Sequence, residues 1–146
     1  MSNPTKKLLF IFGTRPEAIK LAPVIKAFEH DSMFKVVVAV TGQHREMLDQ
    51  VLNFFNIKPD HDLNLMKANQ NLFDVTANGL KMLEPVLSAE APDMVFVQGD
   101  TTTAFIGSLA AYYKKIKVAH IEAGLRSNDK YAPFPEEMNR VLTGRL

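Results

Sequence analysis

The sequence predicts an α/β fold built on a doubly wound parallel sheet, and three observations predict it. Two apolar segments, Val95-Phe96-Val97-Gln98-Gly99-Asp100 and Val118-Ala119-His120-Ile121-Glu122, are short, carry β-branched residues and are bounded by turn signals, as buried parallel strands are. Between them Thr101 to Lys115 has a helical pattern, with Phe105, Leu109 and Tyr112 or Tyr113 recurring every three or four residues. The rest of the chain repeats this alternation of strand and helix with no internal repeat or low-complexity linker, the pattern of a parallel sheet with right-handed crossovers. In such a sheet the strand ends face one side, so Asp100 and Glu122 fall on the rim where open α/β sheets bind ligands.

Taken in order, Lys7 to Phe12 is an apolar run ending at Gly13 and reads as a central strand. Thr14-Arg15-Pro16-Glu17 has the spacing of a capping box, and Pro16 is tolerated in a first turn because those amides have no partner within the helix. Ile19, Ala22, Ile25 and Phe28 continue that helix, with Pro23 expected to bend or weaken it. Phe34 to Val40 is a second β-branched strand closed by Thr41-Gly42, and Arg45 to Phe55 again has helical spacing. Ile57 to Asn69 is a loop around Pro59 and Asp60-His61-Asp62, with a short strand at Leu63-Asn64-Leu65. A helix from about Leu72 to Leu87 follows, its end distorted by Pro85, and Ala91-Pro92-Asp93 leads into the strand that ends at Asp100. Past Glu122, the residues to Lys130 are loop by composition, and Pro133-Phe134-Pro135 stiffens the approach to a helix opening on Glu136 and Glu137, two acids that suit its positive end. The chain stops at Leu146 in or just after that helix, which reads as a cut through a larger protein.

A chain of 146 residues has the length of one domain with one core, able to bury roughly two thirds of its unfolded surface. Its 17 Lys and Arg against 16 Asp and Glu leave a net charge of +1, so no overall field draws it to nucleic acid or membrane, and any anion binding has to be local. With 0 cysteines, disulfides and thiolate metal sites are excluded and a reducing compartment fits. Leu8 to Gly13 is too short for a signal-peptide core or a membrane span, so a cytoplasmic protein is expected.

The strand ends deliver Gly13, Thr14 and Arg15, then Gln43, His44 and Arg45, then Asp100 and Glu122, with Glu136 on the loop after the last strand. All leave the carboxyl side of the sheet and can line one crevice. Arg15, at a helix start beside a glycine, suits a phosphate or another anion. Neither GxGxxG nor GxxxxGK[ST] occurs, which argues against nicotinamide, flavin or P-loop nucleotide binding. Each residue also has a plainer reading. Asp100 before Thr101-Thr102-Thr103 fits a helix cap, Glu122 a solvated strand end, Glu136 and Glu137 ordinary first-turn acids, and Gln43-His44-Arg45 a polar loop. His44 and His120 match no metal-ligand spacing, and Met47, Met82 and Met138 read as core filler.

Five motifs in order carry a resemblance: Phe12-Gly13-Thr14-Arg15-Pro16-Glu17-Ala18, Gln43-His44-Arg45, Gly99-Asp100-Thr101-Thr102-Thr103, His120-Ile121-Glu122-Ala123-Gly124-Leu125-Arg126 and Pro135-Glu136-Glu137-Met138-Asn139-Arg140. Over nearly its whole length the chain resembles the non-hydrolysing bacterial UDP-N-acetylglucosamine 2-epimerases. The resemblance implies two Rossmann-like domains in a GT-B arrangement around a nucleotide sugar, residues 1–146 being the N-terminal one and the C-terminal nucleotide-binding domain being absent from this chain. It implies interconversion of UDP-GlcNAc and UDP-ManNAc by anti elimination of UDP to 2-acetamidoglucal and re-addition, with no cofactor and no metal. It places Asp100, Glu122, Glu136 and Arg15 at catalytic positions, Gly13, Thr14, Arg15, His44 and Arg126 near the substrate, and Gln43 and Glu46 near a second, activating substrate molecule. A homodimer is implied for the full-length protein, working in cell-envelope polysaccharide biosynthesis. The isolated chain is expected to be inactive, because most uridine and diphosphate contacts and a catalytic histidine belong to the other domain. The alternatives are one half of a GT-B glycosyltransferase, for which no acceptor motif is present, and a non-catalytic UDP-sugar-binding module.

Overall fold

The computed structural model describes residues 5–42, 45–67 and 69–146. Strands and helices alternate along the chain as β1 (Lys6–Phe12), α1 (Arg15–Glu29), β2 (Phe34–Val40), α2 (Arg45–Phe54), β3 (His61–Asp62), α3 (Leu72–Glu90), β4 (Met94–Gln98), α4 (Thr102–Tyr113), β5 (Lys117–Ile121) and α5 (Glu136–Thr143). The strands form one parallel sheet of 5 in the order β3-β2-β1-β4-β5. This is the α/β, doubly wound, Rossmann-like architecture expected.

The two-residue period of each strand sorts side chains between two layers. Leu9, Ile11, Val37 and Val95 pack with Leu83 and Leu87 of α3 and Ile106 of α4. Leu8, Phe10, Phe12 and Val38 pack with Leu21 and Ile25 of α1 and Leu48 and Leu52 of α2. Burying a large apolar side chain contributes roughly 1.5–3 kcal/mol. Leu9 to Phe12 are each 0% exposed, which makes β1 the strand that holds the two layers together. The chain winds from β1 outward to β3 and then returns to β4 on the other side of β1. The carboxyl ends of β1 and β4 therefore flank the switch point, where such sheets leave a crevice.

Two expectations are corrected. The short strand lies at His61–Asp62 and not at Leu63-Asn64-Leu65. Asp60 fixes the register, because its N–H donates to the Val38 carbonyl at 2.8 Å and its Oδ2 accepts the Val38 N–H at 2.8 Å. Leu63 and Leu65 do bury their side chains, and their N–H groups donate to the Val40 and Thr41 carbonyls, so the apolar signal was real but located the core rather than the ladder. The third helix runs through Pro85 to Glu90, past its expected end at Leu87. Pro85 removes one donor, but Leu83, Val86 and Leu87 remain buried on the sheet and hold the helix to its last turn.

Candidate active site

The ends of β1, β4 and β5 and the first turns of α1, α4 and α5 enclose a crevice of about 470 Å3, whose walls include Thr14, Lys20, Asp100, Glu122, Glu136 and Arg140. After β4 the chain turns at Gly99, with φ +71°, and reaches Asp100. Thr101, not Asp100, caps the next helix: its Oγ1 accepts the Ala104 N–H at 3.0 Å. Freed from capping, Asp100 places Oδ2 2.9 Å from Arg140 Nη2, and its carbonyl accepts an N–H from Asn139 Nδ2 at 3.0 Å.

Glu122, directly after β5, has φ 59°. A left-handed backbone costs a non-glycine residue roughly 1–2 kcal/mol, so surrounding contacts have to impose it. Its Oε2 accepts an N–H from Gln98 Nε2 at 2.6 Å and pairs with Lys20, and its carbonyl accepts the Arg140 Nε–H at 3.2 Å. Arg140 Nη2 also stands 3.8 Å from Glu122 Oε1, so one buried guanidinium bridges both acids. Glu122 is thus a held carboxylate and not a solvated strand end. Glu136, half-buried at the start of α5, faces the same crevice and has no ion-pair partner among the described residues.

The turn after β1 is built differently. Glu17 is 1% exposed; its Oε2 accepts the N–H groups of Gly13 at 3.0 Å and Thr14 at 2.7 Å, and its Oε1 accepts the Thr101 hydroxyl at 2.6 Å. Burial raises its carboxyl pKa above the ordinary glutamate value, against the opposing pull of those hydrogen bonds. Gly13 is required by space, since a Cβ there would lie 1.9 Å from Thr41 Oγ1. Its amide is already taken by a carboxylate, so the anion-binding start of α1 read from the sequence is filled by the protein's own Glu17.

The crevice brings together Thr14, Asp100, Glu122 and Glu136. It does not bring in Arg15, which is exposed and lines a separate groove with Gln50 and Phe54. Arg126 is likewise outside, its Nε 2.8 Å from Glu137 Oε1. Glu46 is exposed in the first turn of α2, beside Arg45, which pairs with Asp49 and Asp62. Gln43 and His44 lie outside the described residues. Sequence reasoning passed over Lys20, Arg140 and Gln98. The available signal was that Glu136 and Arg140 stand four apart on one helix face.

Chemically, the site sets two cation-paired carboxylates against a third, unpaired one. That set can take up and return a proton while the paired groups stabilise charge that develops between them. No group of three or more His, Asp or Glu suited to a metal occurs among the described residues, and none of their helices is long and apolar enough to cross a membrane.

Fold and crevice together define a Rossmann-like α/β domain with an acid-rich site at its switch point. The sequence model of the UDP-N-acetylglucosamine 2-epimerase family matches residues 26–146, and the chain belongs to that family. It is 56% identical over 96% of its length to the UDP-N-acetylglucosamine 2-epimerase of Escherichia coli K12, of which it spans 37%. It superposes with a TM-score of 0.92 and 56% identity on the Neisseria meningitidis UDP-GlcNAc 2-epimerase bound to UDP-GlcNAc, covering 95% of this chain and 38% of that one. The Methanocaldococcus jannaschii enzyme, in complex with UDP-GlcNAc and UDP, matches at 42% identity and a TM-score of 0.88, over 95% of this chain and 38% of its own. The chain thus spans less than half the length of these relatives.

Proposed function

We propose that this chain is the N-terminal, acid-bearing half of an enzyme that inverts C2 of UDP-GlcNAc to give UDP-ManNAc, and that a second, nucleotide-binding domain forms the other wall of the crevice. The observation that carries the reading is the convergence of Asp100, Glu122 and Glu136 on one crevice with Lys20 and Arg140. The substrate's C2 proton is not adjacent to a carbonyl. The anomeric C–O bond therefore has to loosen first, building positive charge at C1 that nearby carboxylates stabilise. One carboxylate then removes the C2 proton, the C–H pair becomes the C1=C2 bond of 2-acetamidoglucal, and the C1–O pair leaves with UDP. Return of a proton to the other face of C2, with re-addition of UDP at C1, completes the inversion. Three carboxylates supply enough sites for the removal, the return and the charge stabilisation, and Lys20 and Arg140 supply cations beside the departing diphosphate.

The test follows turnover in deuterated water by the chain joined to the remainder of its protein. The native enzyme should place deuterium at C2 of both sugars. Asp100→Asn, Glu122→Gln and Glu136→Gln should each lower exchange and epimerisation by about 10²–10⁴-fold while UDP-sugar binding persists. Unchanged turnover in all three rejects the reading. The 146-residue chain alone should show no epimerisation, because a one-sided crevice does not exclude water.

A further inference from the structure

The segment after Glu122 leaves the crevice wall and runs over the surface to the start of α5. Residues 123–130 are all exposed, so no apolar burial fixes their path. Yet this segment leaves a strained residue, Glu122 at φ 59°, and connects it to the helix that carries Glu136. Something polar has to hold it, and one face of α5 does so with both signs of charge. Arg140 donates to the carbonyls of Glu122 at 3.2 Å and Leu125 at 3.1 Å. Glu137, three residues earlier, takes the amides: its Oε2 accepts the Ser127 N–H at 2.9 Å and its Oε1 the Asn128 N–H at 3.1 Å. The same Oε1 lies 2.8 Å from both Nε and Nη2 of Arg126.

Glu137 is 2% exposed, and a first-turn acid needs no such burial to favour a helix start. We propose that Glu137 is a positioning residue whose carboxylate pins the backbone at Ser127 and Asn128 to α5, and thereby sets how Glu122 and Glu136 face each other across the crevice. The Arg126 and Ser127 hydrogen bonds hold its carboxyl down to about 2, so the anchor stays ionised through the neutral and mildly acidic range. Arg126 answers the charge of Glu137 and does not itself hold the backbone at Ser127 and Asn128.

The importance of this geometry for catalysis rests on the proposed epimerase reading, but the geometry itself can be read in the free chain. In Glu137→Gln, the Ser127 and Asn128 amides should lose hydrogen-exchange protection by about tenfold or more, since each loses a charge-assisted bond. The side-chain carboxyl carbon resonances of Glu122 and Glu136 should shift, while the amides of Leu9 to Phe12 keep their protection. If both carboxyl resonances stay in place while the two amides open, Glu137 only stabilises the loop and the proposal is overturned. Should Glu137→Gln not fold, Arg126→Ala decides. It removes an exposed cation and leaves the amide bonds, so it should preserve Ser127 and Asn128 protection and both resonances; their loss would move the anchoring role to Arg126. In the active enzyme, Glu137→Gln should lower kcat by about tenfold with KM within about twofold. An epimerase assay that fails for the native protein refutes the functional reading and leaves the resonance test standing.

Discussion

At the end of β1 the chain turns into α1 through Gly13 and Thr14, and the polar groups of that turn are satisfied internally: the Gly13 and Thr14 amides by Glu17, and the Glu17 carboxylate also by Thr101. At the ends of β4 and β5 the construction is opposite. Gly99 and Glu122 carry positive φ, Asp100 and Glu122 are met by Arg140 and Lys20 from other elements, and Glu136 faces the crevice without an ion-pair partner among the described residues. The two sides meet at the same switch point and use the same residue types. The difference is that the first spends its carboxylate on the fold, whereas the second holds strained, charged groups toward open space, as sites of chemistry do.

The largest effect that sharpens this contrast is on turnover. Asp100→Asn or Glu122→Gln should lower epimerisation by about 10²–10⁴-fold, roughly 3–5 kcal/mol in the barrier, with only a small change in melting temperature. Thr14→Ala, on the closed side, should lower stability by about 1 kcal/mol through loss of the cap. An unchanged melting temperature in Thr14→Ala would mean that the closed turn does not hold the fold and would erase the distinction.

The glycines of the two turns give a smaller effect with the same logic. Gly13→Ala drives a methyl into Thr41 and should cost about 1–3 kcal/mol in urea unfolding, as overpacking does. A Cβ at Gly99 meets nothing within 4 Å, so Gly99→Ala should cost only the backbone penalty of φ +71°, about 1 kcal/mol. A larger loss at Gly99 than at Gly13 would mean that the open turn is packed after all.

How much of this was legible in the sequence follows the same divide. The buried strands were readable because an apolar run between turn residues needs no partner to announce itself, and β1, β2, β4 and β5 fall within a residue or two of their expected places. The Thr14–Glu17 cap was readable because it is local. The burial of Glu17 was not, because it depends on Thr101, 84 residues further on. Asp100 and Thr101 are equally good caps by residue type, and only the register of α4 chose between them. Arg140 and Glu137 read as ordinary residues of a polar helix; their roles come from backbone groups of a segment that reaches them only in three dimensions. The end of β1 and the resemblance both put Arg15 on the crevice, whereas its side chain lines a groove with Gln50 and Phe54 of α2, a direction that only the packing of α1 on α2 decides.

The smallest prediction uses pH to separate the two sides, because each owns one buried carboxylate and the two are displaced in opposite directions. The Glu17 carboxyl is raised above the ordinary glutamate value, with burial the largest cause, so its contribution to stability is fully present below the unfolded value and is lost as pH rises through the folded one. Glu137 is lowered from 4.5 to about 2, with the Arg126 hydrogen bond the largest cause, so its contribution is present above 4.5 and is lost as pH falls toward 2. Neutral replacements remove each titration. The melting-temperature advantage of the native chain over Glu17→Gln should therefore shrink as pH rises above about 4.5, while its advantage over Glu137→Gln should shrink as pH falls below about 4.5 and stay flat above. Thermal unfolding of the three proteins on both sides of that pH checks both signs at once. Parallel slopes would mean that Glu17 is stabilised as an anion by its hydrogen bonds more than it is penalised by burial, and that the closed turn is electrostatically like the open one.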